Sequence, residues 1–254
     1  LTMIPPSGLC VGLDLDRDKL PAPYRGQPDD MQRFAVDVID AVRPYAACFK
    51  INVAFYEKYG HVGIDALYAV REHCNTSYVI LDAKRGDIGN TSAAYATAGF
   101  ADLRADAITV APYMGRDSVE PFLAWEAKMV YILGLTSNPG SQDFQRLDVG
   151  GMPLYERVMR TSLTWQRSAD VGFVVGATSP KELAHVRGLF PDVPFLIPGI
   201  GTQGGDAAQT LEANGNGPAV YNVSRGLLYI DDSAACIDSI AAEARRLSTL
   251  LTSR

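Results

Sequence analysis

Asp82, Lys84 and Asp87 fall within six positions of one another in "LDAKRGDIGNT" (81–91), where an apolar run ends. An ammonium set among carboxylates can stabilise negative charge developing on a bound molecule and then hand it a proton. Two carboxylates flanking Lys84 would keep it charged, at roughly 4 kcal/mol per pair for unit charges 4 Å apart in an effective dielectric near 20. A Schiff-base lysine must instead lose its proton and prefers apolar or cationic surroundings. Lys84 therefore reads as a proton donor and fixed positive charge. Asp87 lies beyond Gly86 and can mark a solvated turn, reach back over the site, or reach a neighbouring subunit.

A second constellation lies near the other end of the chain. "PGIGTQGGD" (198–206) places Gly199, Gly201 and Gly204 in a G-x-G-x-x-G pattern between an apolar run and a helical one. The pattern alone could suggest a dinucleotide fold, but no suitable acidic residue ends the next run to take a ribose 2′-hydroxyl. Backbone N–H groups in such a loop also suit a monophosphate, and "NVSRG" (222–226) adds Arg225, a fork donor matched to phosphate oxygens. The monophosphate is the favoured reading.

The elements that must position these residues are eight apolar runs: 9–16, 47–55, 78–85, 107–112, 129–136, 171–178, 195–201 and 219–226. Helical patterns alternate with them at 30–42, 62–74, 91–101, 154–168, 181–189, 206–214 and 233–251. Eight β-then-α units in 254 residues without a composition break predict one (β/α)8 TIM barrel domain over 1–254, an α/β fold. A doubly wound open sheet is the alternative.

In a barrel, active sites sit at the C-terminal ends of the strands, and the loops after strands seven and eight commonly bind phosphate. Strand alternation then sends Asp82 and Lys84 to the mouth and Leu81 and Ala83 to the helices. The same alternation turns Lys50 and Asp14 inward against Phe49, Ile51, Leu13 and Leu15. Four charges from the first three strands would converge, with a phosphate opposite. A substrate of nucleotide monophosphate length would bridge the two. The stretch 138–153 is longer than an ordinary βα connection and is either a surface loop or a lid.

Bulk properties exclude other classes. With 47% apolar residues the chain can bury a large core, and no apolar stretch is long enough to span a bilayer. No secretory pattern stands near the N-terminus, so a cytoplasmic protein is expected. The net charge is 23 − 29 = −6, without a basic run, which disfavours a nucleic-acid surface. Cys10, Cys48, Cys74 and Cys236 form no Cys-x-x-Cys pair, and His61, His73 and His185 have no ligand-like spacing, so neither a metal site nor a disulfide framework is expected.

Asp82-Ala-Lys84-Arg-Gly-Asp87-Ile matches the D-x-K-x-x-D-I signature of the orotidine 5′-monophosphate decarboxylase family. "LTSNPGS" (135–141), "VVGAT" (174–178), "PGIGTQGGD" and "NVSRG" resemble its other blocks, in the longer bacterial-type subfamily, in order from about Gly8 to Gly226. The resemblance implies a (β/α)8 barrel, usually a homodimer with shared active sites, that makes UMP and CO2 in pyrimidine biosynthesis with no metal or organic cofactor. It implies a charged network of Lys50, Asp82, Lys84 and Asp87, with Lys84 delivering the proton to C6. It further implies Asp14 on the ribose hydroxyls, Ser137 on the pyrimidine, and Gln203 and Arg225 on the phosphate. Ser224 would contribute through its backbone, and Asp87 and Thr91 would reach the partner's site. Two rivals differ in chemistry. A related barrel uses a similar signature to hold Mg2+ and an enediolate, but looks to need a carboxylate where this chain has Lys50. A non-catalytic nucleotide-binding module would have no use for the charged array.

Overall fold

The computed structural model describes residues 5, 7–26, 29–200 and 206–252. Among the described residues there are eight strands: β1 (Gly8–Gly12), β2 (Cys48–Asn52), β3 (Val79–Arg85), β4 (Ala107–Val110), β5 (Met129–Leu135), β6 (Asp170–Val175), β7 (Phe195–Pro198) and β8 (Ala219–Val223). They pair in parallel in sequence order, and β8 closes onto β1 through Cys10↔Asn222 and Val11↔Val223. Closure rules out the open doubly wound sheet, because β1 is bonded on both edges. The fold is a (β/α)8 barrel.

Helices fill the connections: α1 (Asp30–Val42), α2 (Ala54–Glu57), α3 (Gly60–His73), α4 (Gly89–Thr97), α5 (Arg116–Leu123) and α6 (Ser141–Phe144). There follow α7 (Leu154–Ser162), α8 (Pro180–Leu189), α9 (Ala207–Asn214), α10 (Arg225–Leu228) and α11 (Cys236–Thr252). The apolar positions of α1 show why it forms: Met31, Phe34, Ala35, Val38, Ile39 and Val42 recur at helical spacing and are all buried. α9 starts at Asp206, whose carboxylate accepts the Gln209 N–H at 2.9 Å as an N-cap. Among the described residues no helix is long and apolar enough to cross a membrane.

Two helices end earlier than their periodicity predicts. α7 stops at Ser162, not 168, where Ser162 Oγ bonds back to the Val158 carbonyl and Thr164 Oγ1 to the Thr161 carbonyl at 2.7 Å. Such hydroxyls compete with the helical ladder. α4 gives way after Thr97 to a wider π turn (Ala98–Asp102), which sets Gly99 against Ile108 and Leu81.

The pleat of each strand sorts its side chains into two cores. Outward residues such as Val11, Phe49, Leu81, Ile108, Ile132, Phe173 and Val223 pack under the helices. Inward residues Cys10, Cys48, Ile80, Ala107, Met129, Tyr131, Val174, Leu196 and Val220 fill the barrel as an apolar floor. Two residues further along several strands, the inward positions change character: Gly12, Lys50, Asp82, Thr109 and Asn222 form a polar layer above that floor.

Candidate active site

Lys50 lies at the centre of the polar layer. Its Nζ is 2.9 Å from Asp82 Oδ2 and 3.3 Å from Asp14 Oδ1, and its side chain is buried. On the far side of Asp82, Lys84 Nζ donates to Oδ1 at 2.6 Å, and Thr109 Oγ1 donates to the same oxygen at 3.0 Å. The result is a linear chain of alternating charge, Asp14–Lys50–Asp82–Lys84. Burial alone would drive the Lys50 amine towards neutrality, but the fields of Asp14 and Asp82 outweigh it and hold its pKa well above the usual lysine value. Burial would likewise raise Asp82, yet Lys50 and Lys84 together hold its carboxyl far below the ordinary carboxylate range. Both stay ionised because each neutralises the other, the condition on which a buried charge is tolerated.

Simple alternation does not by itself aim Lys84. Pairing of β3 with β4 shifts register between Leu81 and Arg85, and Lys84 takes a left-handed conformation with φ of 47°. For a side chain with a Cβ this costs roughly 1–2 kcal/mol. The backbone N–H of Lys84 is captured by Thr109 Oγ1 at 2.9 Å, which offsets part of that cost. Bulges beside active sites commonly re-aim a side chain in this way. The amine ends over the mouth, with 48% of the side chain exposed.

The lysine flanked by two carboxylates within one chain is Lys50, not Lys84. Asp87, expected as the second neighbour of Lys84, instead accepts the Ile88 N–H at 2.8 Å, while its carbonyl accepts the Ser92 hydroxyl at 2.6 Å. Thr91 is exposed on the first turn of α4. Neither residue lines the mouth of this chain.

A cavity of about 470 Å3 opens above the polar layer. Asp14, Lys50, Asp82 and Lys84 are among its lining residues, as are Ser137, Ser224 and Arg225. Two glycines make room for the serines. A Cβ on Gly12 would overlap Ser224 Oγ, and one on Gly176 would stand 2.9 Å from Ser137 Cβ. Gln203, Gly201 and Gly204 lie outside the described residues. Asp16, which ends the same run as Asp14, turns away to Lys58 at 2.8 Å and Tyr59 at 3.1 Å.

The stretch 138–153 is neither bare loop nor free flap. It contains α6 and a tight turn closed by the Asp148↔Pro153 bridge. Gln145 clamps its start: Thr136 N–H donates to Gln145 Oε1 at 2.9 Å, and Gln145 Nε2 donates to Thr136 Oγ1 at 2.7 Å. Arg146 pairs with Glu182 of α8.

Sequence reasoning missed Thr109, Asn222, Gln145 and Tyr229. Alternation could have found the first two, since each stands two residues beyond an inward floor residue, Ala107 and Val220. Gln145 and Tyr229 act across loops, and no local signal marks them.

A sequence model described as "Orotidine 5'-phosphate decarboxylase / HUMPS family" matches residues 7–240. The chain belongs to that family. As a member of the orotidine 5′-phosphate decarboxylase family it is an enzyme, a carboxy-lyase. It is similar to an orotidine 5′-phosphate decarboxylase of Aromatoleum aromaticum, 47% identical over 247 residues that cover 94% of this chain and 89% of the relative. Among solved structures it is similar to OMP decarboxylase from Leishmania donovani, with 39% identity and TM-score 0.80, covering 95% of this chain and 94% of that one. UMP synthase from the same organism gives TM-score 0.83 at 41% identity, covering 95% of this chain but 54% of that longer one.

Proposed function

We propose that this enzyme decarboxylates orotidine 5′-monophosphate to UMP and CO2, a step of de novo pyrimidine biosynthesis, using its own side chains without metal or organic cofactor. The observation that carries this reading is the ion pair of Lys84 Nζ with Asp82 Oδ1, 2.6 Å long and at the wall of a cavity that Arg225 also lines. Ser137, Ser224, Asp14, Gln203 and Arg225 hold the nucleotide, with phosphate towards β7 and β8 and ribose towards Asp14.

In the reaction the C6–carboxylate bond breaks heterolytically and the electron pair remains on C6, with no adjacent π acceptor. The Lys84 ammonium opposes that growing charge, an interaction stronger in the transition state than in the ground state. It then gives its proton to C6, and the amine is reprotonated from solvent. Asp82, beside the departing carboxylate, gains from its release. Lys50 holds Asp82 in place and keeps it ionised.

Lys50 also speaks against the metal-dependent branch of barrel chemistry. A divalent cation would need the carboxylate oxygens of Asp14 and Asp82 that Lys50 already engages, and its own charge would be repelled. We propose further that the enzyme is a homodimer in which Asp87 and Thr91 complete the partner's site. Exposed Ile88, Tyr95, Tyr113 and Met114 on the neighbouring β3 and β4 loops and α4 support a covered face there.

The test is the loss of orotidine-monophosphate absorbance on adding purified protein with a chelator present. Lys84→Ala should abolish turnover while UMP binding remains measurable by calorimetry. Decarboxylation at the wild-type rate in that variant would overturn the role given to Lys84.

A further inference from the structure

The phosphate and the ribose of the proposed substrate meet the protein on elements that are neighbours around the ring, across the seam where β8 pairs with β1. The strand ladder at that seam ends at Val11↔Val223, below the mouth. Above it, the loop after β1 carries Asp14 and the turn after β8 carries Arg225, and backbone pairing no longer joins them.

Tyr229, the residue that follows α10, bridges this gap. Its hydroxyl donates to the Asp14 carbonyl at 2.9 Å and accepts the Asp16 N–H at 2.8 Å. The ring is held against Phe34, with centroids 6.3 Å apart. Burial raises the phenol well above its usual pKa, so the proton needed for the Asp14 bond is retained. Three residues on, Asp232 joins the same two segments by accepting from Ala22 N–H at 2.9 Å and Arg25 Nη2 at 2.5 Å.

We infer that Tyr229 is a positioning residue that couples the phosphate-binding turn at Arg225 to Asp14, and through Lys50 to the Asp82–Lys84 pair. The inference rests on the proposed orotidine-monophosphate reading. Seating a phosphate on Arg225 fixes α10, Tyr229 passes that order to the loop of Asp14, and the carboxylate–ammonium chain is drawn into register. Binding energy from a remote group is thereby used at the reacting carbon.

Tyr229→Phe removes one oxygen and keeps the ring, and thermal melting verifies that the variant is folded. The variant and wild type are compared on orotidine 5′-monophosphate and on orotidine, the same nucleoside without its phosphate. We expect kcat/KM to fall about tenfold for the monophosphate and less than twofold for orotidine. A merely structural role would lower both by one factor, and that result, or no change on the monophosphate, overturns the inference. As a second measurement, in an Arg225→Ala background Tyr229→Phe should be nearly silent, and additive losses would also overturn it. If wild type shows no preference for the phosphorylated substrate, the functional reading itself fails, a separate outcome seen before any variant is made.

Discussion

The backbone N–H of Lys84 donates to the side-chain hydroxyl of Thr109 at 2.9 Å, and this bond holds Lys84 at a φ of 47°. The same hydroxyl gives its proton to Asp82 Oδ1 at 3.0 Å, so one buried threonine sets both members of the proposed catalytic pair. Its position on β4, opposite the bulge in β3, makes the neighbouring strand a template for the strand that carries the chemistry.

Thr109→Val should test that template. The substitution keeps the shape and deletes the hydroxyl, leaving the Lys84 N–H without its acceptor at a cost of about 1–3 kcal/mol. Turnover should fall at least tenfold with KM changed less, whereas Thr109→Ser should retain most activity. Steady-state kinetics and urea melts read both effects, and unchanged kcat in the valine variant would remove Thr109 from the account.

Lys50→Met should unfold more readily than wild type by about 3–5 kcal/mol, because Asp82 and Asp14 then lose the cation they share. The pH dependence follows from the two shifted groups. Asp82 is depressed, so its contribution is complete above the ordinary carboxylate pKa near 4 and is lost as pH falls through the lower folded value. Lys50 is raised, so its contribution is complete below about 10 and is lost as pH rises through the higher folded value. Between those limits the pair adds no slope to stability. Denaturant midpoints measured from pH 2 to 11 should show this plateau, and the acid limb should flatten in Lys50→Met, because without Lys50 the folded Asp82 is no longer depressed as far below the unfolded value.

Gly12→Ala should weaken nucleotide binding without touching the charge chain. The new Cβ collides with Ser224 Oγ and lies 2.9 Å from Asn222 Oδ1, so the Ser224 side chain must leave the cavity wall. UMP affinity measured by calorimetry should drop severalfold, and Ser224→Gly in the same chain, which removes both Ser224 side-chain atoms that the new Cβ meets, should restore part of it. Undiminished affinity in the single variant would show that the wall at Ser224 tolerates displacement.

Asp87→Ala and Lys84→Ala should each be inactive as pure proteins if sites are shared between subunits. Mixed and allowed to exchange, they form heterodimers in which one site carries both changes and the other carries none. Activity should then recover to about a quarter of wild type at equal amounts, as random pairing requires. No recovery, with exchange verified by mass, would place Asp87 outside the partner's site.

How much of this was legible in the chain itself depends on the range of the interaction concerned. The residue types and their period of two were enough to predict eight strands and the inward direction of Lys50 and Asp82, because pleating is a local property of each strand, whereas Asp14 lies beyond the end of β1 and meets Lys50 from the loop, not by strand alternation. The D-x-K-x-x-D-I spacing also carried the family. Helix ends such as Ser162 were not legible, since side-chain bonds to the backbone decide them within a single turn.

Tertiary structure alone decided the rest. Which lysine stands between two carboxylates depends on the alignment of three strands, and that alignment gives Lys50 the flanked place and leaves Lys84 paired with Asp82 alone. The left-handed turn at Lys84 exists because Thr109 of another strand accepts its N–H, and the link from Tyr229 to Asp14 spans 215 positions of sequence. A chain announces what its neighbours along the backbone determine; contacts made by closing a ring are set by the register of strands far apart in sequence.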